Sequence, residues 1–267
     1  MAQDVKAESP ILDHEVFAGR ASEMLDRVDA LRDESGLPEA LRIAIEQFVE
    51  GESHPELKKF AEVILVARRQ ALLQQQLDDD RSQLHSGRLD HAERVSTGHH
   101  YEMLRREACE YNHLLRSLIE SCGQYFSRGE LDGWLIRASQ GRRDWVGGEV
   151  VGAVSEIALH AALQGLPELR GLRYASVDED LRGYDFVATW QGQMITVDAK
   201  TGFYQPLSEE KLGHRHLEIS VPRESVNGFR VSRRGLDLLR HEVRQTLHRS
   251  ASVQSHGPHT TAVPNQA

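Results

Sequence analysis

Hydrophobic periodicity changes once along this chain, and that change limits what it can fold into. From Asp13 to about Gly133 apolar side chains recur at helical spacing with no β-branched alternating run. The breaks fall at turn chemistry, Ser35-Gly36-Leu37-Pro38 and Gly51-Glu52-Ser53-His54-Pro55. After Gly133 the pattern becomes one helix, several short strands and a closing helix. The expectation is a two-domain α+β protein. An all-α N-terminal bundle over 13–133 precedes an α/β domain over 134–249, with a flexible N-terminus (1–12) and a disordered tail (250–267) poor in apolar anchors.

Four helices are expected in the first half. Two are ordinary amphipathic segments near 14–33 and 38–50, the second opening with Pro38 at a helix start. In the next, Leu57, Phe60, Ile64, Ala67 and Ala71 alternate in steps of three and four. Leu104, Ala108, Tyr111, Leu115, Leu118, Cys122 and Tyr125 do the same in the fourth, a coiled-coil seam. Two such stripes predict an antiparallel hairpin with its tip near 85–91, packing within the bundle or serving as the surface for a homodimer or partner protein. His99-His100 and Asp78-Asp79-Asp80 read as solvated helix faces.

Composition narrows the function classes. The chain carries 41 acidic and 32 basic side chains, a net charge of −9; residues 1–130 hold 25 acidic and 16 basic groups, residues 131–267 16 of each. This is not the basic footprint of a general nucleic-acid binder, so any such role needs a local site. The longest apolar run, 61–67 broken by Glu62, is far short of the roughly 20 residues that span a bilayer. The N-terminus lacks the basic and apolar regions of a secretory signal, so a cytoplasmic chain with no membrane partner is expected. Cys109 and Cys122 fall on one helix and can build neither a disulfide framework nor a zinc cluster. Basic residues are nearly all arginine, so Lys200, one of five lysines, is a rare choice.

In the second half a helix is expected over 146–164 and strands over 172–176, 184–190, 193–200 and 216–221, followed by a helix over 232–249. Tyr184 to Lys200 reads as a β-hairpin turning at Gln191-Gly192, with glycine supplying the positive φ. Asp185 then faces Asp198, and Lys200 returns to the same face two residues later. A three-residue loop would instead make the aspartates diagonal neighbours. Directly opposed Cβ atoms lie about 4.5 to 5.5 Å apart, and like charges there destabilise a sheet. A divalent cation held by one or two carboxylates would offset the repulsion. The trio also ends an apolar strand, Met194 to Val197, which reads as buried, and charge in such a place needs a reason.

Gly183-Tyr184-Asp185, Val197-Asp198-Ala199-Lys200 and the helical glutamate of Gly152-Ala153-Val154-Ser155-Glu156 together resemble the PD-(D/E)xK nuclease superfamily, the restriction-endonuclease-like fold. The resemblance covers about 134–249, with Tyr184 where the family name has proline. It implies an αβββαβ-type mixed sheet. It implies further that Asp185 and Asp198 ligate Mg²⁺ or Mn²⁺, that Lys200 orients or deprotonates the attacking water, and that Glu156 supports the metal or its waters. Glu149, seven residues earlier on the same helix face, is the alternative to Glu156. The implied activity is metal-dependent hydrolysis of phosphodiester bonds, DNA before RNA, by an endonuclease. Arg223, Arg230, Arg233 and Arg234 lie where arginines outnumber acids and would supply phosphate contacts. His214 and His216, in the loop after Lys200, could touch substrate or a metal but read first as polar surface at a strand edge, and Asp178, Glu179 and Asp180 read as a solvated loop, with Asp180 the one that could reach the metal. A second reading keeps the fold as a catalytically silent nucleic-acid or protein-binding module with a helical oligomerisation domain.

Overall fold

The computed structural model describes residues 12–30, 37–201, 207–211 and 214–253. The protein is mixed α+β and divides into two compact units, Met1–Ile157 and Ala158–Ala267. The expected boundary at 133/134 is not where the chain divides. Gly133 lies inside a helix, α5 (Arg128–Ala138), whose Leu131, Leu135 and Ala138 are buried in the first unit. The expected N-terminal segment up to residue 11, and the tail from 254 on, lie outside the described residues.

The first unit contains α1 (His14–Ala30), α2 (Leu37–Glu50), α3 (Pro55–Ser86), α4 (His91–Cys122), α5 and the start of α6 (Arg143–Gln164). Pro55 opens α3, where its missing N–H costs nothing, and Gly87 ends it in the left-handed region at φ 68°. Asp90 starts α4 with a reciprocal cap: its carboxylate accepts from Glu93 N at 2.9 Å, and its own N–H donates to Glu93 at 3.0 Å. The tip thus falls within the expected 85–91. Lys59 to Ser117 (3.1 Å), Arg69 to Glu107 (2.8 Å) and Asp80 to His100 (2.6 Å) stitch α3 antiparallel to α4. The last of these joins two side chains expected to be merely solvated. Leu57, Phe60, Ile64, Ala67 and Ala71 are buried, as are Leu104, Tyr111, Leu115, Leu118 and Cys122. Helix α5, absent from the sequence reading, brings Trp134 within 5.2 Å of Phe60, 5.6 Å of Phe126 and 6.0 Å of Phe17.

Helix α6 is long and apolar enough to cross a membrane by length and composition alone, a property the run-length reading missed because Glu149 and Glu156 interrupt it. Half of that apolar window is buried, as in the core helix of a folded unit. On its first-unit side Trp145 stacks on Tyr111 at 5.3 Å, and the Glu156 carboxylate accepts from the buried Arg116 guanidinium. Burial raises the Glu149 carboxyl from 4.5 to about 7, with Glu156 adding to the rise and a hydrogen bond from Asn112 opposing it. A carboxyl whose folded pKa is raised contributes stability that is present below about 4.5 and lost as pH climbs through about 7. Glu149→Gln is therefore expected to gain up to roughly 3 kcal/mol over the parent at pH 8 and nothing at pH 4. Urea unfolding across that range checks it, and equal gains at both ends would refute the assignment.

The second unit contains β1 (Leu169–Tyr174), α7 (Val177–Asp180), β2 (Phe186–Trp190), β3 (Gln193–Thr201), β4 (Leu207–Lys211), β5 (His214–Val221), the short pair β6 (Val226–Asn227) and β7 (Arg230–Val231), and α8 (Arg233–Val253). The five long strands form one mixed sheet in the order β1-β2-β3-β5-β4, with β3 and β5 parallel and the other neighbours antiparallel. Gln191 (φ 51°) and Gly192 (φ 80°) both take positive φ, the two-residue hairpin turn expected, and pairs run from Trp190↔Gln193 to Phe186↔Val197.

Leu159 and Leu163 of α6 and Leu239, Val243 and Leu247 of α8 join Phe186, Ile195, Val197, Leu217 and Ile219 in one core. Met194, expected to be buried with its strand, is exposed. The αβββαβ order is not reproduced. Among the described residues the segment between β3 and β5 forms β4, and the helix, α8, follows β5. Ser208, Glu209, Glu210 and Lys211 have low strand propensity, and β4 exists through its pairing to β5. The expected acidic loop at 178–180 forms α7, where Arg173 donates to Glu179 twice at 2.7 Å and holds its carboxyl down to about 2.

Candidate metal centre on the polar face of the sheet

Alternation along β3 and β5 sorts their side chains onto two faces. Ile195, Val197, Leu217 and Ile219 lie in the core, so Thr196, Asp198, Lys200, His216, Glu218 and Ser220 share the opposite face. The parallel register sets Thr196 beside His216, Asp198 beside Glu218 and Lys200 beside Ser220. This face is not wet surface: Thr196 is 1% exposed, His216 0% and Asp198 9%.

Asp185 precedes β2 and meets the same row from the other side. Its N–H donates to Val197 O at 2.9 Å, and its carboxylate accepts from Ala199 N at 2.6 Å. Its backbone and side chain thus meet β3 at Val197 and Ala199, on either side of Asp198, one residue beyond the last regular pair, Phe186↔Val197. The Lys200 ammonium donates to the Asp198 carboxylate. Burial alone would lower the Lys200 pKa, but the Asp198 hydrogen bond and the charges of Asp198, Glu218 and Asp185 raise it above its ordinary value. Lys200 is therefore an ammonium here, and it feels all three carboxylates.

Sequence reasoning left His216 and Glu218 outside the expected site. His214 and His216, expected at an edge as polar surface, both belong to β5, which β3 and β4 flank; His216 is fully buried. Its Nδ1 lies 2.9 Å from Thr196 Oγ1, and its ring centroid lies 5.4 Å from that of Tyr184. Ligand atoms of Asp198, His216 and Glu218 all lie within 4.8 Å of one another. The signal for Glu218 was present in the alternation His216-Leu217-Glu218-Ile219-Ser220-Val221. What the sequence withheld was the parallel pairing that sets Glu218 beside Asp198.

The remaining expected residues are placed as follows. Glu156 belongs to the first unit, where Arg116 engages it. Arg223 opens a 3₁₀ turn (Arg223–Ser225) directly after β5, Arg230 lies on β7, and Arg233 and Arg234 open α8. All four are exposed, and none forms an ion pair with a described residue. Three carboxylates against one ammonium leave this sheet face with surplus negative charge, a donor set chemically fitted to a divalent cation. Comparison with family models, with curated proteins and with solved structures finds no match for this chain.

Proposed function

We propose that the chain is a divalent-metal-dependent nuclease whose second unit is a restriction-endonuclease-like variant, cutting phosphodiester bonds of DNA as an endonuclease. One observation supports this reading: the Asp185 carboxylate accepts from Ala199 N and the Lys200 ammonium donates to Asp198, so the three side chains gather at the end of β3. Asp185 and Asp198 would hold the cation. When bound, the ion would neutralise charge on the phosphate and lower the pKa of an attacking water. Lys200, already cationic, would draw the phosphate in and orient the water. Glu156 lies in the first unit, where Arg116 engages its carboxylate, and is given no part in this reading.

A catalytically silent binding module is the second reading, and two observations favour it. The Asp185 carboxylate is spent partly on Ala199 N, and the segment between β3 and β5 forms a strand in place of the helix of the αβββαβ order. Thermal unfolding separates the two. The nuclease reading predicts that a millimolar divalent cation raises the parent's Tm by several degrees and leaves Asp185→Asn unmoved. No shift in the parent would favour the silent module.

The exposed arginines would supply nonspecific phosphate contacts, each adding about 0.9 to the slope of log affinity against log salt on duplex DNA. Arg230→Ser with Arg233→Ser is expected to lower that slope by roughly 2. Anisotropy titrations with a duplex oligonucleotide between low and moderate salt measure it; an unchanged slope would remove these residues from the interface.

A further inference from the structure

Resting on the metal-site reading above, we propose that His216 and Glu218 of β5 join Asp198 as metal ligands, so that the centre takes a first-row transition ion such as Mn²⁺ in preference to Mg²⁺. The geometry carries it: one donor atom from each of the three side chains lies within 4.8 Å of the others, and two of the three residues are buried. The positions follow from the fold. Asp198 and Glu218 are neighbours on parallel strands, and His216 sits two residues before Glu218 on the same face.

The imidazole is held in place before any ion arrives. Thr196 Oγ1 lies 2.9 Å from Nδ1 and the Tyr184 ring packs at 5.4 Å, so the orientation of the ring is set by its neighbours. Nitrogen among the donors decides the choice of ion. Mg²⁺ demands oxygen ligands in a near-ideal octahedron, whereas imidazole suits first-row transition ions and carboxylate suits Mn²⁺ as well as Mg²⁺. Asp185, on the far side of Asp198 from Glu218, would complete the oxygen donors, and Lys200 would exchange its pairing with Asp198 for a contact to the phosphate.

Titration of the full chain with MnCl₂ and with MgCl₂, read by calorimetry and by the Mn²⁺ paramagnetic resonance signal, tests this without an activity assay. The expected parent shows at least tenfold tighter Mn²⁺ than Mg²⁺ binding. His216→Asn is expected to erase that preference while keeping the Mg²⁺ response, and Glu218→Gln to weaken both ions. The parent's own ratio needs no variant, so a misfolded His216→Asn protein leaves the proposal decidable. Equal affinities in the parent, or a preference that survives in folded His216→Asn, would overturn the His216 assignment alone. Binding of neither ion would overturn the metal-site reading with it.

Discussion

Asp198→Asn is expected to lower metal-dependent DNA cleavage by on the order of 10² to 10³-fold while leaving the protein at least as stable as the parent. The two halves of that expectation come from one geometry. Asp198 stands between Asp185 and Glu218, and among the described residues Lys200 is the cation that touches it. Asparagine keeps the shape and removes one of three mutually repelling charges, so the loss of the Lys200 pairing is offset by relief of repulsion. On the nuclease reading, activity would depend on the charge itself, through its hold on the cation. Lys200→Ala should lose cleavage comparably while keeping metal binding, because its proposed part is played on the phosphate and the water. A purely structural trio would behave in the opposite way, with stability falling and no activity to lose. Kinetics on plasmid DNA beside Tm for both variants distinguish the cases.

The second large effect lies in the first unit. Arg116→Ala should destabilise the fold by about 3 kcal/mol, because it removes the guanidinium that pairs with the Glu156 carboxylate in a mostly buried position. Exposure of the two side chains is 7% and 16%, so solvent screens the pair far less than a surface bridge. At this chain size the loss corresponds to a Tm drop of roughly 6 to 12 °C. Pairing Arg116→Met with Glu156→Gln removes both charges at similar volume and should recover most of the stability. If Arg116→Ala alone costs under about 0.5 kcal/mol, the pair is not what holds α6 to α4. The same series also asks what Glu156 does: a structural glutamate shifts Tm, whereas a metal-supporting one shifts cleavage in the folded Glu156→Gln protein.

Local chemistry made part of this legible from the residues alone. Gln191-Gly192 specified a two-residue turn, and since a strand alternates with period two, fixing the turn fixed the register from Trp190↔Gln193 to Phe186↔Val197 and so brought Asp185 to the end of β3 beside Asp198. The α3–α4 seam was readable for a similar reason, an apolar stripe repeating over many turns. Pairing between distant segments was not readable. Nothing local in β4 marks it as a strand, and nothing local places β5 parallel to β3, so Glu218 and the buried His216 stayed outside the expected site. Helices α5 and α7 carried an overlooked signal, the Ser-x-x-Glu capping boxes of Ser127 with Glu130 and Ser176 with Glu179. The partner of Glu156 was hidden because Arg116 lies 40 residues away on α4, at a position the heptad pattern leaves unassigned.

Incubation of the purified full chain with supercoiled plasmid in Mg²⁺, in Mn²⁺ and in chelator, beside Lys200→Ala, tests the nuclease reading most directly. Nicked and linear products are expected with metal, faster in Mn²⁺, none in chelator and few or none with the variant. Intact plasmid under every metal, or cutting that persists undiminished in a folded Lys200→Ala protein, would contradict that reading.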